Sequence, residues 1–130
     1  MDIKEVNENY KKIKGFDYTN NIEFDEVNKE IVKAHINVSK ASLNPWGTVH
    51  GGLIFGLADT AIGLLCYAND YKGVTIDGNI NYLKPCVKEA KVVASIVRMG
   101  NKIGFFKAEV FNENNELAAI MTSNYYNLHD

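Results

Sequence analysis

From Gly51 to Ala68 the chain is apolar apart from Asp59 and Thr60. Such a run approaches the roughly 18 residues of a membrane span, and it contains Gly52-x-x-x-Gly56, a spacing that lets helices approach closely in lipid. Asp59 falls at its centre, where an ionised carboxylate costs about 2.5–3.5 kcal/mol on insertion scales, and no basic cluster flanks either end. A helix apolar on every side can instead be buried on every side by protein. That reading expects no membrane partner, and it requires the rest of the chain to wrap the helix.

The rest has the material to do so. Among 130 residues, 46% are hydrophobic and only 2 are proline, which predicts one compact domain over residues 1–130. Ile3, Val6, Tyr10 and Ile13 recur at helical spacing, so residues 2–14 read as a short amphipathic helix closed near Gly15, an N-terminal extension of that domain. Ile22, Phe24 and Glu26 alternate with Glu23 and Asp25, and Val32, Ala34, Ile36 and Val38 alternate with Lys33, His35 and Asn37, making a hairpin across Asn28-Lys29. After the apolar helix, Ile76, Gly78, Ile80 and Tyr82 alternate with Thr75, Asp77, Asn79 and Asn81 up to Pro85. Strands over about 88–99, 102–111 and 116–126 follow, joined by the turn-forming Gly100-Asn101 and the Asn112 to Asn115 segment. The class is therefore α+β, a curved antiparallel sheet around one long buried helix.

A net charge of −2 removes the broad basic footprint that nucleic-acid binding requires. Cys66 and Cys86 lack metal-ligand spacing, as do the histidines, so no metal is expected. The opening Met1-Asp2-Ile3-Lys4-Glu5 has no apolar core, and the expected setting is reducing and cytoplasmic.

Reactive groups concentrate in Asn44-Pro45-Trp46-Gly47-Thr48-Val49-His50-Gly51-Gly52 and in Asp59. Glycines opening a helix let a ligand approach the backbone, and the first-turn N–H groups are unpaired and positively polarised, suited to a developing oxyanion. At about 1.5 Å rise per residue, Asp59 lies roughly 12 Å along the axis from Gly51. If both act on one carbon, the simplest geometry pairs antiparallel helices from two subunits, giving two equivalent sites.

The run Asn44 to Gly52 followed by Leu57-Ala58-Asp59, supported by Thr75 and Tyr82-Leu83-Lys84-Pro85, resembles the hotdog-fold acyl-CoA thioesterases, particularly the PaaI-like branch related to 4-hydroxybenzoyl-CoA thioesterases. The resemblance spans about residues 20–127 and rests on the spacing of the whole set. It implies a homodimer or dimer of dimers that hydrolyses an acyl-CoA without a cofactor. It also implies that the Gly51 N–H polarises the thioester carbonyl while Asp59 of the other subunit acts as general base or nucleophile. Asn44 would position water or the thioester, Thr75 would bond the attacking water, and His50 would orient the loop leading into the helix.

Each residue also has a plainer reading. Asn44 starts an Asn-Pro turn, His50 packs, Thr75 suits a strand, and Asp59 is satisfied by a neighbouring loop. From Lys84 to Lys107 the local charge is +5, a patch that either meets coenzyme A phosphates or protects strand edges. Arg98, Lys102 and Lys84 are the expected phosphate contacts. Two further classes share the fold, a hydratase or dehydratase using His50 with Asp59, and a non-catalytic acyl-CoA binding module. The Gly-to-Asp spacing and Asn44 favour hydrolysis over hydration, and the presence of Asp59 argues against mere binding.

Overall fold

The structure, a computed structural model, describes residues 1–130. Helices α1 (Ile3–Ile13) and α2 (Phe16–Thr19) lead into the hairpin β1 (Ile22–Val27) and β2 (Ile31–Asn37). The long helix α3 (Gly51–Ala68) follows, then β3 (Gly73–Tyr82), β4 (Glu89–Met99), β5 (Ile103–Asn112) and β6 (Leu117–Asn127). The six strands form one sheet in the order β1-β2-β4-β5-β6-β3, with every neighbouring pair antiparallel.

Helix α3 lies against the inner face of that sheet. Leu57, Ala58, Ala61, Ile62, Leu65 and Cys66 are fully buried, which accounts for a helix apolar all round without a membrane. Facing it, β4 presents Ala90, Val92 and Ala94, β5 presents Phe106, Ala108 and Val110, and β6 presents Ala119 and Met121, all buried. The alanines let the helix backbone come close to the sheet, and the larger neighbours fill the flanks. Truncating Leu57 or Ile62 to Ala costs about 2–5 kcal/mol in such a core.

The two free edges of the sheet differ. At β1, Asn7 of α1 donates its Nδ2 to the Phe24 carbonyl (2.9 Å) and accepts from the Phe24 N–H (2.8 Å), so a side chain pairs with the strand. Tyr10 stacks beside it, its ring 4.8 Å from that of Phe24. At β3 no such cover exists, and Val74, Ile76, Tyr82 and the adjoining Leu83 are about half exposed.

One element is added to the sequence reading and two alternations are corrected. Helix α2 was not legible as a helix; its Phe16 ring fills the space above Gly56, where a Cβ would come within 2.6 Å of the ring. In β1 a bulge between Phe24 and Glu26 shifts the alternation, burying Val27 and leaving Glu26 outside, 3.7 Å from Lys33. In β3 a second bulge falls between Thr75 and Asp77. Strict alternation would set Thr75 on the face of Asp77 and Asn79; the extra residue, Ile76, turns Thr75 inward beside Tyr125 instead.

Candidate active site

The loop before α3 is built from local hydrogen bonds. Asn44 Oδ1 accepts from the N–H groups of Trp46 (3.0 Å) and Thr48 (3.2 Å), and its Nδ2 donates to Thr48 Oγ1 (2.8 Å). Gly47 completes the turn at φ +82°, in the left-handed region where glycine is favoured. Asn44 thus shapes the turn, as an Asn-Pro sequence suggests, and also lines a cleft of about 340 Å³ with Thr48, Gly51, Ile54, Tyr82 and Lys84.

His50 is the N-cap of α3, its Nδ1 accepting the Gly52 N–H at 2.9 Å. That bond requires an unprotonated Nδ1 and leaves Nε2 to carry any ring proton. The His50 N–H is fixed to the Ser42 carbonyl, and the Val49 N–H to the Cys86 carbonyl, both at 2.8 Å. The Gly51 N–H has no acceptor in the chain, while the Tyr82 hydroxyl donates to the Gly51 carbonyl at 2.6 Å. The helix therefore starts with a free, polarised donor at the rim of a cleft.

Asp59 sits two turns further on. The inward-turned Thr75 donates to its Oδ1 at 2.8 Å, and the Tyr125 hydroxyl donates to the same oxygen and lies 2.8 Å from the Asp59 main-chain carbonyl. Burial and then this contact push the Tyr125 hydroxyl far above the ordinary tyrosine range, so it stays a donor. Cys66, fully buried, is pushed up to about 12 by burial and then by the charge of Asp59. A second carboxyl, Asp17 of α2, accepts from Thr60 Oγ1 at 2.7 Å. Burial raises its pKa most, the Thr60 bond lowers it, and the charge of Asp59 raises it. One turn beyond Asp59, Gly63 opens into a largely apolar cleft of about 470 Å³ closed by Tyr10 and Ile13 of α1 and Tyr71.

Within one chain, the fold brings Thr75 to Asp59, and Asn44 and His50 to Gly51, but it keeps the two groups apart. Tyr82 marks one end of β3 and Thr75 the other. The cationic residues are also divided. Lys84 lies at the Gly51 end and is paired with Glu116 at 2.7 Å. Arg98 lies in register with Asp77, about 20 Å further along β6, and Lys102 beside Asn127 at the opposite end, about 30 Å away at about 3.3 Å per residue. Lys102 donates to the His129 carbonyl at 2.7 Å. Part of the +5 patch is neutralised by acids outside it, since Lys84 meets Glu116 and Lys107 meets Glu109 (3.8 Å). Its lysines on β4 and β5 stand on interior strands, so edge protection does not explain them.

Tyr125 was not among the residues singled out from sequence. Inward alternation along β6 places it on the helix side, but nothing local joins it to a residue 66 positions earlier. Glu113 was missed as well. Its Oε1 accepts from the N–H groups of Lys88 (2.8 Å), Val87 (2.9 Å) and Glu89 (3.3 Å), chiefly the first two of which lower its carboxyl to about 2. No group of three His, Cys, Asp or Glu side chains is arranged to hold a metal ion.

The chain thus combines a sheet wrapped on one helix with an unpaired helix-start N–H and a hydrogen-bonded acid at mid-helix. The model of the Thioesterase superfamily matches residues 46–119, and the chain belongs to that superfamily. It is a thioester hydrolase with the hotdog fold. Acyl-coenzyme A thioesterase 13 of Mus musculus is 27% identical over 118 residues, 87% of this chain and 84% of the relative. A mutant of the thioesterase PA1618 from Pseudomonas aeruginosa superposes with a TM-score of 0.89 at 19% identity, covering 97% of this chain and 93% of its own. The Streptococcus mutans protein smu.793, bound to acetyl CoA, gives a TM-score of 0.80 at 27% identity over 85% of this chain and 90% of its own.

Proposed function

We propose that the protein hydrolyses an acyl-CoA to the free acid and coenzyme A, with Asp59 activating the attacking water and the Gly51 N–H of a second copy stabilising the oxyanion. The observation that carries this reading is the pairing of an unsatisfied N–H at the start of α3 with a carboxylate two turns along the same helix. As water attacks, the carbonyl oxygen gains charge beside the N–H, Asp59 takes the water proton, and collapse expels the thiolate. Direct attack by Asp59, giving an anhydride, uses the same groups.

The exposed β3 edge supports a homodimer in which two copies pair through β3, running their α3 helices antiparallel and bringing Gly51 of one toward Asp59 of the other. In that arrangement the Lys84 end of one chain lies beside the Arg98 and Lys102 end of its partner, so both can meet one anionic coenzyme. The cleft at Gly63 takes the acyl group. His50 acts through loop geometry, which favours hydrolysis over hydration by an imidazole. The relative bound to acetyl CoA adds support for the substrate class.

The test is a panel of short, medium-chain and aromatic acyl-CoAs incubated with the protein and a thiol-detecting reagent. Stoichiometric thiol release with at least one member is expected. Saturable acyl-CoA binding without release would replace hydrolysis by a binding role, and water addition to an enoyl-CoA would replace it by hydration.

A further inference from the structure

The two oxygens of the Asp59 carboxylate are not equivalent. Oδ1 receives both the Thr75 and the Tyr125 hydroxyls, whereas Oδ2 has no donor in the chain. An oxygen with two donors has little free electron density to offer a proton or a carbonyl carbon, so the open lone pairs belong to Oδ2. We infer that Tyr125 is a positioning residue that clamps Oδ1 and thereby presents Oδ2 as the reacting oxygen. This rests on Asp59 being the reacting carboxylate.

Tyr125 is suited to the task because its ring has no freedom to follow a moving carboxylate. It is buried on β6 and packs edge-on against Phe106, centroids 5.6 Å apart at 74°. Phe106 in turn packs against Tyr71 at 6.4 Å and 72°, and the Tyr71 hydroxyl donates to the Gly100 carbonyl at 2.5 Å. The hydroxyl also has an acceptor in either state of the acid. It donates to Oδ1 while Asp59 is ionised, and the main-chain carbonyl at 2.8 Å accepts once the carboxyl has taken up a proton. A proton arriving on Oδ2 therefore strands no buried donor.

Tyr125→Phe removes the hydroxyl and keeps the ring against Phe106. The expected result on the full chain is a kcat reduced about tenfold to a hundredfold, the scale of a misplaced reacting group, with KM and coenzyme A affinity changed less than about twofold. In an Asp59→Asn background the same substitution should leave the residual rate unchanged, because there is no carboxylate left to position. A purely structural defect would lower both backgrounds alike. Thr75→Val, on the exposed strand β3, clamps one donor fewer on the same oxygen and should show the same split of kcat from KM even if Tyr125→Phe does not fold. Wild-type kcat in Tyr125→Phe, or an equal loss in both backgrounds, overturns the assignment of Tyr125. Wild-type turnover in Asp59→Asn alone would instead overturn the role of Asp59.

Discussion

The start and the middle of α3 hold their reactive groups by opposite means. At the start, the donor is a backbone N–H set mainly by the loop before it, through the Asn44 turn and the His50 cap, with the Cys86 carbonyl and the Tyr82 hydroxyl added from further along the chain. At the middle, the acid is a side chain on a rigid helix, fixed by hydroxyls from β3 and β6, 16 and 66 positions away. A local scaffold can be altered residue by residue with graded effect. A tertiary clamp fails as a unit when its centre is removed.

The largest effect is therefore expected at the middle. Asp59→Asn should lower turnover at least about a hundredfold, the scale of losing a general base, while the thermal midpoint and coenzyme A affinity stay near wild type. Thiol release measured beside calorimetry checks it, and near-normal turnover would remove the acid from the mechanism.

At the start, Gly51→Pro deletes the N–H while respecting the helix. Proline is well tolerated at the first helical position, and His50 at φ −56°, ψ 132° already has the extended backbone that precedes proline. The added Cβ meets the Tyr82 ring at 3.3 Å, an exposed side chain able to shift slightly. Turnover should fall about a hundredfold or more, as for loss of an oxyanion donor. Mixing this variant with Asp59→Asn should restore about a quarter of wild-type turnover after subunit exchange, since half the pairs are mixed and each holds one intact site. No recovery despite demonstrated exchange would place both groups of one site on one chain.

His50 separates support from chemistry. His50→Asn keeps a good N-cap and should retain measurable turnover, whereas His50→Ala should cost about 1 kcal/mol of stability. An Asn variant more damaged than Asp59→Asn would mean that the imidazole transfers a proton.

The smallest effect concerns Glu113, which ties down Val87 to Glu89 just beyond the Cys86 carbonyl. Its carboxyl, ordinarily near 4.5, is lowered to about 2 in the fold. Its stabilisation is complete above the unfolded value and is lost as pH falls through the folded one. Glu113→Gln should thus melt below wild type at neutral pH, with the gap closing between about pH 5 and 2. A gap independent of pH would assign the effect to shape rather than charge.

The same contrast governs what could be read from sequence. The hairpin and the strand runs follow from periodicity and the buried helix from its unbroken apolar run, and the Asn44 to Gly52 loop is legible because the side-chain bonds of Asn44 and His50 span only two to four residues. The bulge at Ile76 is different. Period-two alternation set Thr75 facing away from the helix, and only the β3–β6 register, which no local pattern encodes, turns it onto Asp59. Tyr125 was hidden for the same reason. The expected coenzyme contacts were drawn from one stretch of sequence, yet the strands carry Lys84 and Lys102 to opposite ends of the sheet.

Thioester hydrolysis releases a free thiol, and thiols exchange with any accessible thiolate or disulfide nearby. Both cysteines of this chain are fully buried, with Cys66 pushed up to about 12 and Cys86 to about 11, burial being the first cause in each. Neither offers the thiolate that mixed-disulfide formation requires. As conditions turn oxidising, coenzyme A disulfides can accumulate around the protein without capturing it, and a thiol reagent added to follow turnover reports the product rather than the catalyst.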